Sequence, residues 1–119
     1  MKQIMLLLAL VAGGVLPAMA EQPEVGKGML VDEHHMTLYV FDKDKPGNSA
    51  CNEGCSSSWL PVVADAYDKA AGKWSMFKRA DGKMQWAYQG RPLYRWSGDS
   101  KPGEHSGDGM GGMWHVARP

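Results

Sequence analysis

One short pattern occurs twice in this sequence, and the duplication constrains the fold more than any other feature. Each copy has a tyrosine, an aromatic residue two positions later, an aspartate three positions after that, and a tryptophan 15 positions beyond the aspartate. The pattern comprises Tyr39, Phe41, Asp44 and Trp59 in the first copy and Tyr94, Trp96, Asp99 and Trp114 in the second. A Pro-Gly pair follows each aspartate, at Pro46-Gly47 and Pro102-Gly103. We infer a tandem duplication, because the matches keep a spacing of 55 residues with one residue inserted before the second Pro-Gly pair.

The duplicated pattern predicts a strand in each copy. The tyrosine and the second aromatic residue are two positions apart, so both side chains lie on one face of a strand and are candidates for the core. The aspartate follows the strand, where its carboxylate can cap the next turn through backbone N–H groups. A repeat that cannot bury its own aromatic face would pack against the other copy. We therefore predict a small antiparallel all-β domain of two pseudo-symmetric repeats with glycine-rich loops, in which the motif residues are mainly architectural.

The rest of the chain fits the same fold class. Two aromatic-rich runs flank Asp81-Gly82, a strong hairpin signal, and we expect a hairpin at about 74–88. The 15 glycines and seven prolines predict many turns, and no segment has a helical period of apolar residues. We expect a single domain over residues 21–119, with repeat one at about 28–64 and repeat two at about 91–118.

Residues 1–20 have the layout of a cleavable export signal. Lys2 precedes an apolar stretch, and Ala18-Met19-Ala20 is a cleavage sequence of the A-x-A type. The alternative is a membrane anchor, but the stretch is shorter than the roughly 20 residues that span a bilayer. No lipid-acceptor cysteine follows the signal. We therefore predict a periplasmic or secreted protein with no transmembrane segment after cleavage.

The two cysteines, Cys51 and Cys55, are separated by three residues. Export places them in an oxidising compartment, where a structural disulfide is the expected state. The alternatives are a redox pair or a metal site. The C-x-x-C spacing of redox pairs is absent, and no basic residue lies nearby to lower a thiol pKa. We predict a disulfide that fixes a local turn.

Composition and motifs argue against two functional classes. The chain has 13 Lys and Arg against 13 Asp and Glu, and it lacks the basic patch that nucleic-acid binding requires. No nucleophile, metalloprotease or phosphate-loop motif occurs. His105, Ser106 and Asp108 have the residue types of a catalytic triad, but their adjacency in a glycine-rich loop is not triad geometry. A small hydrolase-type enzyme is therefore the third hypothesis for function.

The mature chain resembles a known bacterial family of secreted repeats, often described as predicted lipoproteins with a Y-x-[FWY]-x-x-D motif. The resemblance covers TLYVFDKDKPGNSAC at 37–51, WSMFKRADG at 74–82, QWAYQGRPLY at 85–94 and GDGMGGMWHVA at 107–117, together with the cysteine pair and Trp59. It implies an envelope or extracellular location and no established biochemical activity. The sequence departs from the lipoprotein description, since no lipid-acceptor cysteine follows the signal. A freely soluble periplasmic form is therefore expected.

Histidines and methionines are concentrated at two places, which suggests a metal site. The candidate ligands are His34, His35 and Met36 in one segment and His105, Met110, Met113 and His115 in the other. Imidazole and thioether ligands together suit copper, particularly Cu(I). The alternative is that the methionines fill gaps in the core and the histidines are exposed. A periplasmic copper-binding protein is the second hypothesis for function.

The sequence contains two further candidate sites. The segment from Asp42 to Glu53 has EF-hand spacing, but Pro46 occupies a ligand position and offers no side-chain oxygen, which argues against calcium. Five tryptophans and four tyrosines can either form the core or expose a stacking platform for sugars or peptides. The leading hypothesis is an exported, non-enzymatic envelope protein of unestablished activity that binds a ligand or partner, with no confident cofactor.

Overall fold

The structure is a computed structural model that describes residues 22–119; the predicted export signal lies outside the described residues. Over residues 22–119 the regular elements are antiparallel strands and two 3-10 segments, without an α-helix, which confirms the all-β prediction. The strands are β1 (Glu24–Gly26), β2 (Met29–Val31), β3 (Leu38–Phe41), β4 (Trp59–Pro61), β5 (Trp74–Lys78), β6 (Met84–Tyr88), β7 (Arg91–Pro92), β8 (Tyr94–Trp96) and β9 (Trp114–Val116). The 3-10 segments are Glu53–Ser57 and Met110–Gly112. No helix within the described range has the length and apolarity to cross a bilayer.

The central sheet has the strand order β4-β8-β3-β9, so strands of the two repeats alternate across it. The two motif tyrosines, Tyr39 and Tyr94, are direct partners in the pairing of β3 with β8. The edge strands carry the motif tryptophans, and each pairs with the central strand of the other repeat. Trp59 lies opposite Trp96, and Trp114 lies opposite Phe41. Each repeat thus supplies an outer strand to the other, and neither could complete this sheet alone.

Backbone hydrogen bonds beyond the sheet follow the same exchange. The Ala117 amide donates to the Leu38 carbonyl at 2.8 Å, and at the equivalent positions 55 residues away the Val62 amide donates to the Leu93 carbonyl at 3.0 Å. The hairpin that begins each repeat, β1–β2 or β5–β6, is also bonded to the other repeat. The Leu30 amide donates to the Ala117 carbonyl at 2.9 Å, and the Trp86 amide donates to the Val62 carbonyl at 2.8 Å.

The two faces of the central sheet bury separate cores. One face packs aliphatic residues of β2 and β3 against the aromatic residues of β6. The other face is an aromatic core, in which Trp59 and Trp114 stack with ring centroids 3.8 Å apart and planes 1° apart. Tyr39 meets Trp59 edge-on at 5.1 Å, and Tyr94 meets Trp114 edge-on at the same distance. Offset and edge-on aromatic contacts contribute beyond simple area burial, so four rings form the centre of this core.

The Cys51–Cys55 disulfide is formed, with its Cα atoms 5.2 Å apart. Cys51 is fully buried in the aromatic core. The buried guanidinium of Arg79 secures the same loop from the β5–β6 turn. Its Nη2 donates to the Cys51 carbonyl at 3.2 Å, and its Nη1 donates to Gln85 Oε1 at 2.7 Å. The loop is therefore fixed both covalently and by a buried polar network that spacing alone did not reveal.

Candidate functional site

The two motif tyrosines and aspartates form hydrogen bonds that cross between repeats. The Tyr39 hydroxyl donates to Asp99 Oδ2 at 2.7 Å, and the Tyr94 hydroxyl donates to Asp44 Oδ2 at 2.7 Å. The other oxygen of each carboxylate holds the loop that follows it. Asp44 Oδ1 accepts from the Ala50 amide at 2.7 Å, and Asp99 Oδ1 accepts from the Ser106 amide at 2.9 Å. Each aspartate therefore ties its own loop to the central strand of the other repeat.

The electrostatics of these pairs suit a structural role. Burial, followed by the hydrogen bond to Asp99, raises the pKa of the Tyr39 hydroxyl well above its ordinary value of 10.0. Burial and the bond to Asp44 raise the pKa of Tyr94 in the same way. Desolvation also raises the pKa of Asp44, although its bonds from Tyr94 and Ala50 act in the opposite direction. Both tyrosines therefore remain protonated donors across the physiological pH range and do not serve as bases.

The loops held by the two aspartates carry the Pro-Gly turns, and the first of these turns is closed. The Gly47 amide donates to the Gly90 carbonyl at 2.9 Å. Gly90 has a φ of +82°, and a Cβ atom there would lie 3.4 Å from the Pro46 Cβ. The absence of a side chain at residue 90 lets the turn rest directly on the β6–β7 connection.

The second Pro-Gly turn is open. Pro102-Gly103 faces His35, the residue 55 positions before Gly90, across a cavity of about 480 Å³. That volume lies in the range of about 300–1,000 Å³ typical of small-molecule sites. We call this cavity the His35 groove; it is lined by Glu24, Gly26, Lys27, Met29, Val31, His35, Pro102 and Gly103. Of two equivalent turn contacts, only one therefore provides room for a ligand.

Two single-residue insertions account for the opening. In the connection from β2 to β3, three residues separate Asp32 from Met36. The Asp32 amide donates to the Met36 carbonyl at 3.0 Å and closes the turn. The corresponding connection has two residues between the paired Tyr88 and Arg91. On the opposite wall, Pro102 follows its aspartate by one residue more than Pro46 does. Both walls of the groove are thus longer than their closed counterparts.

His35 occupies a backbone conformation that favours glycine. Its φ is +65°, in the left-handed region that L-residues enter at a cost of about 1–2 kcal/mol. The Asp32 carboxylate imposes this turn, since its Oδ1 accepts from the amides of His34 and Met36, each at 2.9 Å. Lys27, at the other end of the groove, also has a positive φ of +54°. Backbone strain of this kind concentrates at functional sites.

The floor of the groove comes from one face of the β1–β2 hairpin. Glu24 pairs with Val31 and Gly26 pairs with Met29, so these four residues point to the same side. Gly26 leaves a flat centre, and Met29 also packs against the aromatic core. The wall formed by Pro102-Gly103 is anchored to the same core. The Gly107 amide donates to the Tyr39 hydroxyl at 3.2 Å, and this hydroxyl in turn donates to Asp99. The crossed motif therefore positions the groove without lining it.

The predicted metal ligands lie in several places. Met36 is buried, whereas His34 and His35 are exposed and face Glu33 at 3.4 Å and Glu24 at 3.8 Å. The second set comprises His105 and Met110, exposed in the loop before β9, Met113, half-buried beside the aromatic core, and His115, whose Nε2 is 2.8 Å from Asp42 Oδ2. Over residues 22–119 no three His, Cys, Asp or Glu residues are close enough to hold a metal ion. The structure instead brings Met29 to the same groove as His35, a pairing that separation in the sequence concealed.

The aromatic residues belong mainly to the two cores. Trp59, Trp86 and Trp114 are at most 5% exposed, and the other two tryptophans are half-buried. Tyr67 is the one strongly exposed ring in the described chain, at 80%. The geometry provides no contiguous aromatic platform over this range.

The fold and groove define a class of protein: a small all-β domain of two interlocked repeats with an open groove between the β1–β2 hairpin and the second Pro-Gly turn. The chain belongs to the family described as a secreted repeat of unknown function, whose model matches residues 24–63 and 75–118. These two segments contain the crossed motif and both groove walls, and the family's description supports an exported location. No curated protein and no solved structure matches the chain.

Proposed function

We propose that this protein is an exported, non-enzymatic envelope protein, periplasmic or secreted, that binds a small ligand in the His35 groove. One observation carries the proposal. Of two equivalent contacts between repeats, one is closed over Gly90 and the other is held open beside a left-handed His35. Substitution of His35 by glycine would relieve the left-handed strain, so this variant separates a role in binding from a role in stability.

The lining of the groove suits binding more than catalysis. Met29, Val31 and Pro102 offer apolar contact, and the charged residues Glu24 and Lys27 are exposed. The His35 imidazole is 67% exposed and lies 3.8 Å from Glu24. A catalytic base normally requires a nucleophile or substrate group within hydrogen-bond reach and an orienting partner. The arrangement instead resembles a ligand pocket with an apolar floor and few polar anchors.

The test is an NMR titration of the ¹⁵N-labelled chain 21–119 with purified muropeptides and, separately, with oligosaccharides. Binding should shift the amides of Met29, His35 and Gly103 before any others. His35→Gly should abolish these shifts, and Gln89→Gly should preserve them because Gln89 lies in the closed connection. Saturable shifts confined to another surface, or an unchanged response in His35→Gly, would contradict the proposal.

Copper binding is the second candidate function, and one observation favours it: Met29 and His35 line the same cavity. A thioether and an imidazole are suitable ligands for Cu(I). The measurement is a Cu(I) titration against a chromogenic competing chelator. Met29→Leu and His35→Gln should each weaken the affinity at least tenfold. His115→Gln should not, because His115 lies in β9 and does not line the groove. Affinity no tighter than micromolar in the unmodified chain would rule out this function.

A further inference from the structure

We propose that the His35 groove takes a short zwitterionic peptide, with the ammonium group of the peptide at Glu24 and its carboxylate at Lys27. This inference rests on the proposed function and specifies its ligand. Both charged residues line the cavity, one at the start of β1 and the other just beyond its end. Between them lie apolar side chains of the floor and wall. A ligand with opposite charges at its two ends and an apolar middle matches this order.

The separation of the charges sets the length of the ligand. Lys27 follows Glu24 by three residues and lies in the turn beyond β1, so the Cα atoms of the two residues are at most roughly 10 Å apart. An extended dipeptide spans at most about 7 Å, and the ion pairs at its two ends add about 3 Å each, or about 13 Å in all. The exposed side chains of Glu24 and Lys27 extend beyond their Cα atoms and can cover this length. A dipeptide therefore reaches both charges with small side-chain adjustments. A free amino acid has one side chain in place of two and therefore gains less apolar contact with the floor.

The floor favours an apolar side chain on the peptide. Met29 and Val31 lie beneath the cavity, and Pro102 faces them. At Gly26 a Cβ would lie 3.3 Å from Val31 Cγ2, so the glycine keeps the centre of the floor low. A methionine adapts its shape to different partners because it is unbranched and polarisable. The groove thus fits apolar dipeptides of more than one sequence.

The His35 side chain forms one wall of the groove in which the peptide would bind. Its Nδ1 lies 3.8 Å from Glu24 Oε2, on the side where the peptide ammonium would bind. The exposed ring can turn away from Glu24 without loss of a buried contact, since 67% of its side-chain surface is free. An incoming ammonium then replaces the imidazole beside the carboxylate. The turned ring packs against the apolar middle of the peptide, and His35→Gly removes this contact.

The experiment compares four probes by calorimetry and NMR on the chain 21–119: Leu-Leu, N-acetyl-Leu-Leu, Leu-Leu amide and free leucine. Leu-Leu should bind at the groove, and each of the other three should bind at least tenfold more weakly. In Glu24→Gln the acetylated and free peptides should bind equally; in Lys27→Gln the amide and free peptides should do so. Both side chains are exposed, so these variants should keep the thermal stability of the unmodified chain.

Equal affinity for the capped and free peptides, or shifts outside the groove residues, would overturn the assignment. The outcome also separates this inference from the proposed function. If muropeptides, oligosaccharides or Cu(I) shift the groove amides while Leu-Leu does not, the zwitterionic ligand is wrong and the binding function stands. If none of these probes shifts them, both are wrong.

Discussion

The Tyr39 hydroxyl of the first repeat donates to the Asp99 carboxylate of the second repeat at 2.7 Å, and this bond joins the core to the groove. The same carboxylate accepts from the amide and the hydroxyl of Ser106, at 2.9 and 2.7 Å. The Pro102-Gly103 turn lies between these anchored positions. A bond between repeats therefore fixes the wall of the proposed binding site. The motif residues position this wall and do not contact the ligand themselves.

Removal of the Tyr39 hydroxyl should be strongly destabilising. Tyr39→Phe leaves the buried Asp99 carboxylate without one of its donors, and a hydrogen bond to a charged group contributes about 1.5–3 kcal/mol. Urea unfolding should show a loss of about 2 kcal/mol. Tyr88→Phe is the matched control, since Tyr88 packs in the other core against Trp74, and it should lose less than 1 kcal/mol. Equal losses would show that the crossed bond has no special role.

Alkaline pH should weaken the fold. Both motif tyrosines have a pKa above the ordinary 10.0, so the folded chain keeps two protons that the unfolded chain releases. This stabilisation is complete below about pH 10 and is lost as the pH rises toward the folded pKa values. Each tyrosine should lower the free energy of unfolding by up to about 1.4 kcal/mol per pH unit above that point.

Urea unfolding between pH 8 and pH 11, with tyrosinate absorbance followed in parallel, measures this dependence. The double variant Tyr39→Phe/Tyr94→Phe should show a shallower fall than the unmodified chain. Ionisation of all tyrosines at the pH expected for exposed residues, in a chain that is still folded, would contradict the buried hydrogen-bonded state.

Loss of the disulfide should be moderate because its loop is short. Chain entropy predicts a contribution of about 2 kcal/mol for a loop of this size. Cys51→Ala/Cys55→Ala should lose about that amount and remain folded, since Arg79 still donates to the Cys51 carbonyl. Urea unfolding of this variant, and of the unmodified chain with and without reductant, provides the measurement. Complete unfolding on reduction would mean that the disulfide, and not the interlocked sheet, holds the repeats together.

Glycine at His35 or Gln89, which both have a left-handed backbone, should stabilise the chain. Both His35 and Gln89 have positive φ, at +65° and +52°. Relief of this conformation contributes about 1–2 kcal/mol, and the greater freedom of glycine in the unfolded chain offsets part of it. His35→Gly and Gln89→Gly should therefore each raise the free energy of unfolding by about 0.5–1 kcal/mol. A loss of stability in His35→Gly alone would mean that the histidine has a structural role.

Much of the fold class can be predicted from sequence because its signals are local. The period-two aromatic residues of β3 and β8 indicate strands, and the spacing of 55 residues indicates the duplication. The exchange between repeats is not local. The spacing predicts that each aspartate caps its own following turn, as Asp44 and Asp99 do, but it does not predict that Tyr39 bonds to Asp99 across 60 positions. Partner choice of this kind depends on which strand lies beside which, and spacing does not encode that.

The groove was harder to predict for a related reason. The two repeats, when aligned, show the inserted residue before Pro102. That this insertion opens a groove depends on tertiary structure, because His35 faces the second Pro-Gly turn and Gly90 faces the first. Residue type alone indicates His34, His35 and Met36 as candidate ligands. Burial of Met36 and the proximity of Met29 to His35 follow from the packing of the β1–β2 hairpin.

The most direct test of the account compares muropeptide and Leu-Leu binding by the unmodified chain, His35→Gly and Gln89→Gly in a single NMR series. Both variants place glycine at a left-handed position, but only one of them lines the groove. The account predicts that Gln89→Gly binds as tightly as the unmodified chain and that His35→Gly, folded and at least as stable, binds at least tenfold more weakly. Undiminished binding by His35→Gly would contradict it.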